Sequence, residues 1–133
     1  MQLAVFPGEG GLILSSNPVA IKLEAVLAGA VSANQPEYHV DYADWTNDNV
    51  ETPPLAPSRG ALNDTTDVTI LAAPTNNPRR EIQRISIYNK DTASITVTVK
   101  TDDGTTERII IKSTVIAGRT LFWEKTGGWY QSP

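Results

Sequence analysis

Residues 67–131 alternate between short runs rich in β-branched residues and turn-forming segments, and this pattern constrains the fold more than any other feature of the chain. Residues 95–99 and 108–111 are two such runs, and Asp102-Asp103-Gly104 separates them. Strand-like runs at roughly ten-residue spacing are typical of a sandwich or a barrel. The sequence therefore predicts an all-β fold, an antiparallel and jelly-roll-like β-sandwich of about eight strands.

The alternation also predicts which side chains face the core. Successive side chains of a strand point to opposite faces of its sheet, so residues two apart share a face. The predicted inward set is Ile95, Val97, Val99, Ile109 and Ile111. Their neighbours Thr96, Thr98 and Lys100 are predicted to face outward.

The chain of 133 residues has the length of one domain. Residues 1–18 are predicted to be an N-terminal arm or edge strand, and residues 19–133 a single β-sandwich domain. Within that domain, residues 46–66 lack periodicity and are rich in proline, which predicts a long loop. Residues 19–31 fit either a strand or an amphipathic helix. The strand is favoured because the alternating segment around residues 38–42 would pair with it.

Composition excludes several classes of partner. The net charge of −4 argues against a surface built to neutralise nucleic-acid phosphates. No segment reaches the roughly 18–20 apolar residues that a membrane span needs. Neither nucleic acid nor membrane is therefore an expected partner.

No motif predicts catalysis. His39 is the only histidine, and on the predicted strand it shares a face with Asp41, with the two positions roughly 6.5–7 Å apart. Nucleophile-elbow, phosphate-loop and calcium-loop patterns are all absent from the sequence. The expectation is a non-enzymatic protein with no catalytic residue, cofactor or metal, in which His39 is a surface or subunit-contact residue.

Several short segments, in this order along the chain, carry a resemblance to a known class of proteins. They are Leu27-Ala28-Gly29-Ala30-Val31, Asn34-Gln35, residues 67–74, residues 80–87, Tyr88-Asn89-Lys90-Asp91-Thr92-Ala93, residues 95–99, residues 108–110, Ala117-Gly118 and Gly128-Trp129. In these segments the chain resembles small β-rich virion structural proteins of tailed bacteriophages. The resemblance implies a non-enzymatic protein located in the virion, which is assembled in the cytoplasm of a bacterial host.

Within the virion, the resemblance leaves two positions open. DNA phosphates repel an acidic protein, so a position on the outside of the capsid is favoured over a surface that lines DNA. Capsid decoration or cementing is therefore favoured over a tail, neck or fibre-attachment role. The expected partners are the major capsid protein or other virion proteins, and the chain is expected to form a homo-oligomer, with a trimer favoured. The predicted subunit-contact residues are Leu3, Val5, Phe6, Val50, Leu55 and Arg59.

A carbohydrate-binding module is the alternative from another functional class. Trp45, Tyr38 and Tyr42 would stack on the sugar rings of a host-surface glycan. This alternative predicts a solvent-exposed aromatic strip.

Overall fold

The computed structural model describes residues 4–6, 9–16, 18–46, 56–75 and 79–133, with side chains described from residue 11 onward. These residues form no helix, and therefore none that is long and apolar enough to cross a membrane. The strands are β1 (Ala4–Phe6), β2 (Glu9–Leu14), β3 (Lys22–Leu27), β4 (Glu37–Trp45), β5 (Ser58–Ala61), β6 (Val68–Leu71), β7 (Arg79–Tyr88), β8 (Ile95–Asp102), β9 (Glu107–Val115), β10 (Thr120–Glu124) and β11 (Gly128–Ser132).

The described strands form two antiparallel sheets, one of seven strands and one of four. In the larger sheet β7 is central. It pairs on one side with β4, which also pairs with β5, and on the other side with β2 and β10 in succession. The hairpin partners β1 and β11 extend β2 and β10. The smaller sheet has the order β6-β3-β8-β9.

One hydrophobic core lies between the two sheets. The larger sheet contributes Ile85 and Ile87 from β7, and the smaller sheet contributes Leu23 from β3 and Val97 from β8. Because both sheets bury one face in the same cluster, the described strands make an antiparallel β-sandwich. The predicted all-β class is confirmed, whereas the jelly-roll topology stays a prediction.

The ambiguous segment at residues 19–31 contains strand β3, which confirms the preference for a strand. The expected partner was wrong. β3 pairs with β6 and β8 in the smaller sheet, while β4 pairs with β5 and β7 in the larger one. Leu23 and Val40 therefore enter the core from opposite layers, and residues 28–36 connect the two sheets.

A β-bulge changes which side chains of β9 point toward the core. Ile95, Val97 and Val99 are buried as predicted. The pairing then shifts, since Val99 lies opposite Ile111 and Lys100 lies opposite Ile109. The extra residue in β9 exchanges the two faces of the strand. The prediction that Ile109 faces inward was wrong, because this side chain is 67% exposed.

The predicted loop and arm contain strands. Within residues 46–66, β5 pairs with β4, and Gly60 permits this close approach because a Cβ atom there would lie 2.8 Å from the Tyr38 hydroxyl oxygen. Residues 47–55 of the predicted loop lie outside the described residues. In the N-terminal segment β2 pairs with β7 and places Leu12 and Leu14 in the core.

The turn after β7 joins three parts of the chain. The Asn89 amide nitrogen donates to the carbonyl oxygens of Ala93 and Val115, both at 2.9 Å, and its oxygen accepts from the Asp91 N–H at 3.0 Å. The Asp91 carboxylate accepts the backbone N–H groups of residues 32–34 at 2.8–3.1 Å. These backbone donors, Ser32 first, lower the pKa of Asp91 to about 2. The Asn89-Lys90-Asp91 motif therefore fastens the connection between the sheets.

Candidate binding surface

The outward face of the larger sheet carries a continuous row of side chains. Strand register places Arg59 of β5, His39 of β4, Ser86 of β7, Phe122 of β10 and Tyr130 of β11 side by side. Alternate residues of these strands, such as Val40 and Ile85, are buried in the core, so the row points away from it. We call the outward side of these five strands the aromatic face.

Ring stacking and ion pairing order one half of the aromatic face. Phe122 stacks on Tyr130 with ring centroids 5.2 Å apart, and the Arg84 guanidinium lies 4.8 Å from the Phe122 ring centroid. Arg84 also pairs with Glu124 at 3.6 Å. Tyr130 donates its hydroxyl proton to Glu124 at 2.8 Å, and this bond raises the pKa of Tyr130. The aromatic side chains are thus held in fixed positions while Tyr130 remains exposed.

The other half of the aromatic face forms an open groove of about 570 Å³ over strands β4, β5 and β7. Tyr88 is 40% exposed and supplies an aromatic surface. Glu37, opposite Tyr88, pairs with Lys90 at 3.6 Å. The groove is lined by Glu37, His39, Arg59, Ala61, Ser86 and Tyr88, together with Tyr38 and Gly60 at its base. Groups of both charges and an aromatic ring suit non-covalent recognition of a polar partner.

His39 and Asp41 approach more closely than their backbone spacing suggested. The His39 Nε2 atom lies 3.2 Å from the Asp41 carboxylate, and both side chains are nearly half exposed. Ser86 lies directly opposite His39, but among the described residues the hydrogen-bond partner of His39 is Asp41. The His39–Asp41 pair therefore lies on the outward face of the larger sheet, where His39 lines the groove.

The predicted glycan-stacking residues do not form one exposed strip. Tyr38 and Tyr42 are half-buried and pack against the core, and the Arg80 guanidinium covers the Tyr42 ring at 4.5 Å. Trp45 is also half-buried, and its indole N–H has no hydrogen-bond partner among the described residues. The three residues do not form one strip because side chains alternate along β4, so that Trp45 lies on the opposite face from Tyr38 and Tyr42.

The predicted subunit-contact residues are only partly described. Arg59 is exposed in the groove. Val5 and Phe6 belong to β1, whose backbone pairs with β2 but whose side chains are not described. Leu3, Val50 and Leu55 lie outside the described residues.

Tyr88, Phe122 and Tyr130 were not among the predicted site residues. Each alternates with a neighbour that is buried or packs against the core, Ile87, Leu121 or Trp129, and this alternation was the available signal. Alternation alone could not bring the three together, because they meet only through the pairing of β7 with β10 and of β10 with β11.

No protein-family model, curated protein or solved structure matches the chain.

Proposed function

We propose that the chain is a non-enzymatic structural protein of a tailed-bacteriophage virion, and that it acts as a capsid decoration or cement protein. Two observations support the proposal: the resemblance in residues 67–130 and the residue types of the aromatic face. Its partner is the major capsid protein, and the chain acts as a homo-oligomer, with a trimer favoured.

The observation that carries the proposal is the row from Arg59 to Tyr130. Tyrosine, phenylalanine and arginine are enriched at the centres of protein–protein interfaces, where they bury large areas with little loss of side-chain freedom. The Phe122–Tyr130 stack and the Arg84 contact hold those side chains in place before binding. A pre-ordered surface loses less entropy on association.

In a decoration protein, the aromatic face would bind the assembled capsid shell. A protein that binds the assembled shell more tightly than free subunits stabilises the shell by mass action. The net charge of −4 favours a location on the outside of the shell, away from packaged DNA.

The test is co-sedimentation of the purified protein with undecorated capsids, after its mass has been measured by light scattering. We expect saturable binding at a stoichiometry that matches sites of the capsid lattice. Tyr88→Ala removes an exposed ring of the aromatic face and should weaken binding by about tenfold or more. Ile109→Ala removes an exposed side chain from the smaller sheet and is the matched control, expected to bind like the unmodified protein.

Two results would count against decoration. If the protein does not bind capsids, or if Ile109→Ala weakens binding more than Tyr88→Ala, the aromatic face is not a capsid-docking surface. Binding to purified tails or necks in place of capsids would support the tail, neck or fibre-attachment role.

Glycan binding is the second candidate function, and we propose the groove as its site in place of Trp45, Tyr38 and Tyr42. The exposed Tyr88 ring can stack on a sugar, and His39, Arg59 and Ser86 offer polar contacts beside it. A glycan array probed with the purified protein and with Tyr88→Ala tests this candidate. Absence of any bound glycan, or equal binding by the variant, would contradict it.

A further inference from the structure

Six charged side chains meet on the outward face of the smaller sheet, beside the β8–β9 hairpin. Strand register places Lys22 opposite Asp102, and Asp102 opposite Glu107. Glu24 lies opposite Lys100 in the same strand pair. The full set is Lys22, Glu24, Asp67, Lys100, Asp102 and Glu107.

The acidic groups outnumber the basic groups in this cluster. Lys22 Nζ lies 3.1 Å from Glu24 Oε2 and 3.8 Å from Asp102 Oδ2. Lys100 Nζ lies 2.8 Å from Glu107 Oε2 and 2.9 Å from Asp67 Oδ1. Four carboxylates against two ammonium groups leave an excess of two negative charges when all are ionised. Such an excess suits a divalent cation.

Glu24 provides a second, independent indication of a ligand. The residue is 4% exposed, and its Oε1 atom is buried without a hydrogen-bond partner among the described residues. Burial raises the pKa of Glu24, although the hydrogen bond from Lys22 opposes this effect. A buried carboxylate oxygen without a partner is destabilising unless something supplies the missing positive charge or donor.

We propose that Glu24, Asp102 and Glu107 bind a hard divalent cation, Ca²⁺, with Glu24 as the buried ligand. One carboxylate oxygen from each residue lies within 4.8 Å of the other two. Ca²⁺ binds oxygen ligands at roughly 2.3–2.6 Å, so oxygens in one coordination shell lie up to roughly 5 Å apart. Ca²⁺ also tolerates irregular geometry, and waters complete its coordination when the protein supplies only part of the shell.

The bound cation replaces Lys22 as the partner of Glu24. The Lys22 side chain is 39% exposed, so its ammonium group can turn into solvent when the cation binds. Lys100 stays in place because Glu107 Oε2 and Asp67 hold it, which leaves the other Glu107 oxygen for the cation. The site joins β3, β8 and β9, so binding stabilises the sandwich against unfolding.

The test is thermal unfolding of the full chain after treatment with EDTA and dialysis, with CaCl₂ or with NaCl at equal ionic strength. For a site of the affinity usual in extracellular modules, we expect about 10 mM Ca²⁺ to raise the Tm by about 4–8 °C relative to NaCl. Glu24→Gln and Glu107→Gln should each abolish most of that rise. Glu107 is exposed, so its variant is informative even if Glu24→Gln folds poorly.

Two further variants make the test specific. Glu37→Gln removes an exposed, ion-paired carboxylate from the larger sheet and should keep the full Ca²⁺ response. Lys22→Met removes the ammonium group that competes for Glu24, so it should lower the Tm without Ca²⁺ and enlarge the Ca²⁺-induced rise. The proposal is overturned if Ca²⁺ gives no rise beyond NaCl, or if Glu107→Gln responds like the unmodified protein. The cluster would then be a network of ion pairs alone.

Discussion

Replacing Asn89 with alanine is expected to lower the free energy of unfolding by about 3–5 kcal/mol. Asn89 is fully buried, and its side chain makes three hydrogen bonds, to Ala93, Val115 and Asp91. Without the amide, the Val115 carbonyl and the Asp91 N–H remain buried and unpaired, at about 1–3 kcal/mol each. The Ala93 carbonyl is partly exposed and adds a smaller loss, since water can reach it.

The assay is equilibrium unfolding in urea. With a denaturant dependence of about 2 kcal/mol per M, a loss of about 4 kcal/mol lowers the urea midpoint by about 2 M. Asn34→Ala is the matched control. Asn34 lies in the connection that Asp91 holds, its side chain is exposed, and alanine keeps the backbone N–H that bonds to Asp91. The control should change the free energy of unfolding by about 0.5 kcal/mol or less.

Equal midpoints for Asn89→Ala and Asn34→Ala would refute this reasoning. That result would mean that water or a backbone shift replaces the three bonds, so that Asn89 does not fasten the turn. A change in the slope with urea would instead indicate an altered denatured state, and the midpoint shift would then not measure the lost bonds.

Two further predictions test features on which the fold depends. The pKa of Asp91 falls from its usual 3.8 to about 2 in the folded chain, so the stabilisation from its ionised form is complete above pH 3.8 and is lost as pH falls through 2. Urea midpoints measured between about pH 5 and pH 2 should therefore decline less steeply for Asp91→Asn than for the unmodified protein, and parallel declines would contradict the assigned bonds. Ile109→Thr should change the free energy of unfolding by about 0.5 kcal/mol or less, because Ile109 is exposed, whereas Ile111→Thr should destabilise by about 1 kcal/mol or more because Ile111 packs against the core. Thermal or urea unfolding of the two variants decides between this arrangement and the unbulged pairing, which predicts a large loss for both.

Local signals predicted much of the fold. Alternation identified Ile95, Val97 and Val99 as core residues, and all three are buried. The Asp102-Asp103-Gly104 turn also forms as expected. Gly104 has a positive φ of 89°, and the Asp103 carboxylate accepts the N–H groups of residues 105 and 106. These features depend on residues within a few positions of each other, so the sequence determines them directly.

Features that depend on distant pairing could not be predicted in the same way. β3 and β4 both alternate at period two, yet alternation does not decide which sheet a strand joins. The contacts that separate them are long-range, such as the bonds from residues 32–34 to Asp91. The bulge opposite Lys100 likewise follows from β8–β9 packing. Its local sequence, Ile109-Ile110-Ile111, is uniform and gives no preferred register.

The Tyr88-Asn89-Lys90-Asp91 motif carries part of the resemblance to virion proteins, and its residues differ in what they indicate about fold and about partner. Asn89 and Asp91 are explained by the turn that they build, so similarity at these two positions argues for a common architecture and not for a common partner. The Tyr88 side chain, by contrast, is 40% exposed on the aromatic face. Its proposed contribution to binding depends on the strand register that sets it beside Glu37 and Thr120. The proposed role in the virion therefore depends more on the behaviour of Tyr88→Ala toward capsids than on the turn residues that carry most of the resemblance.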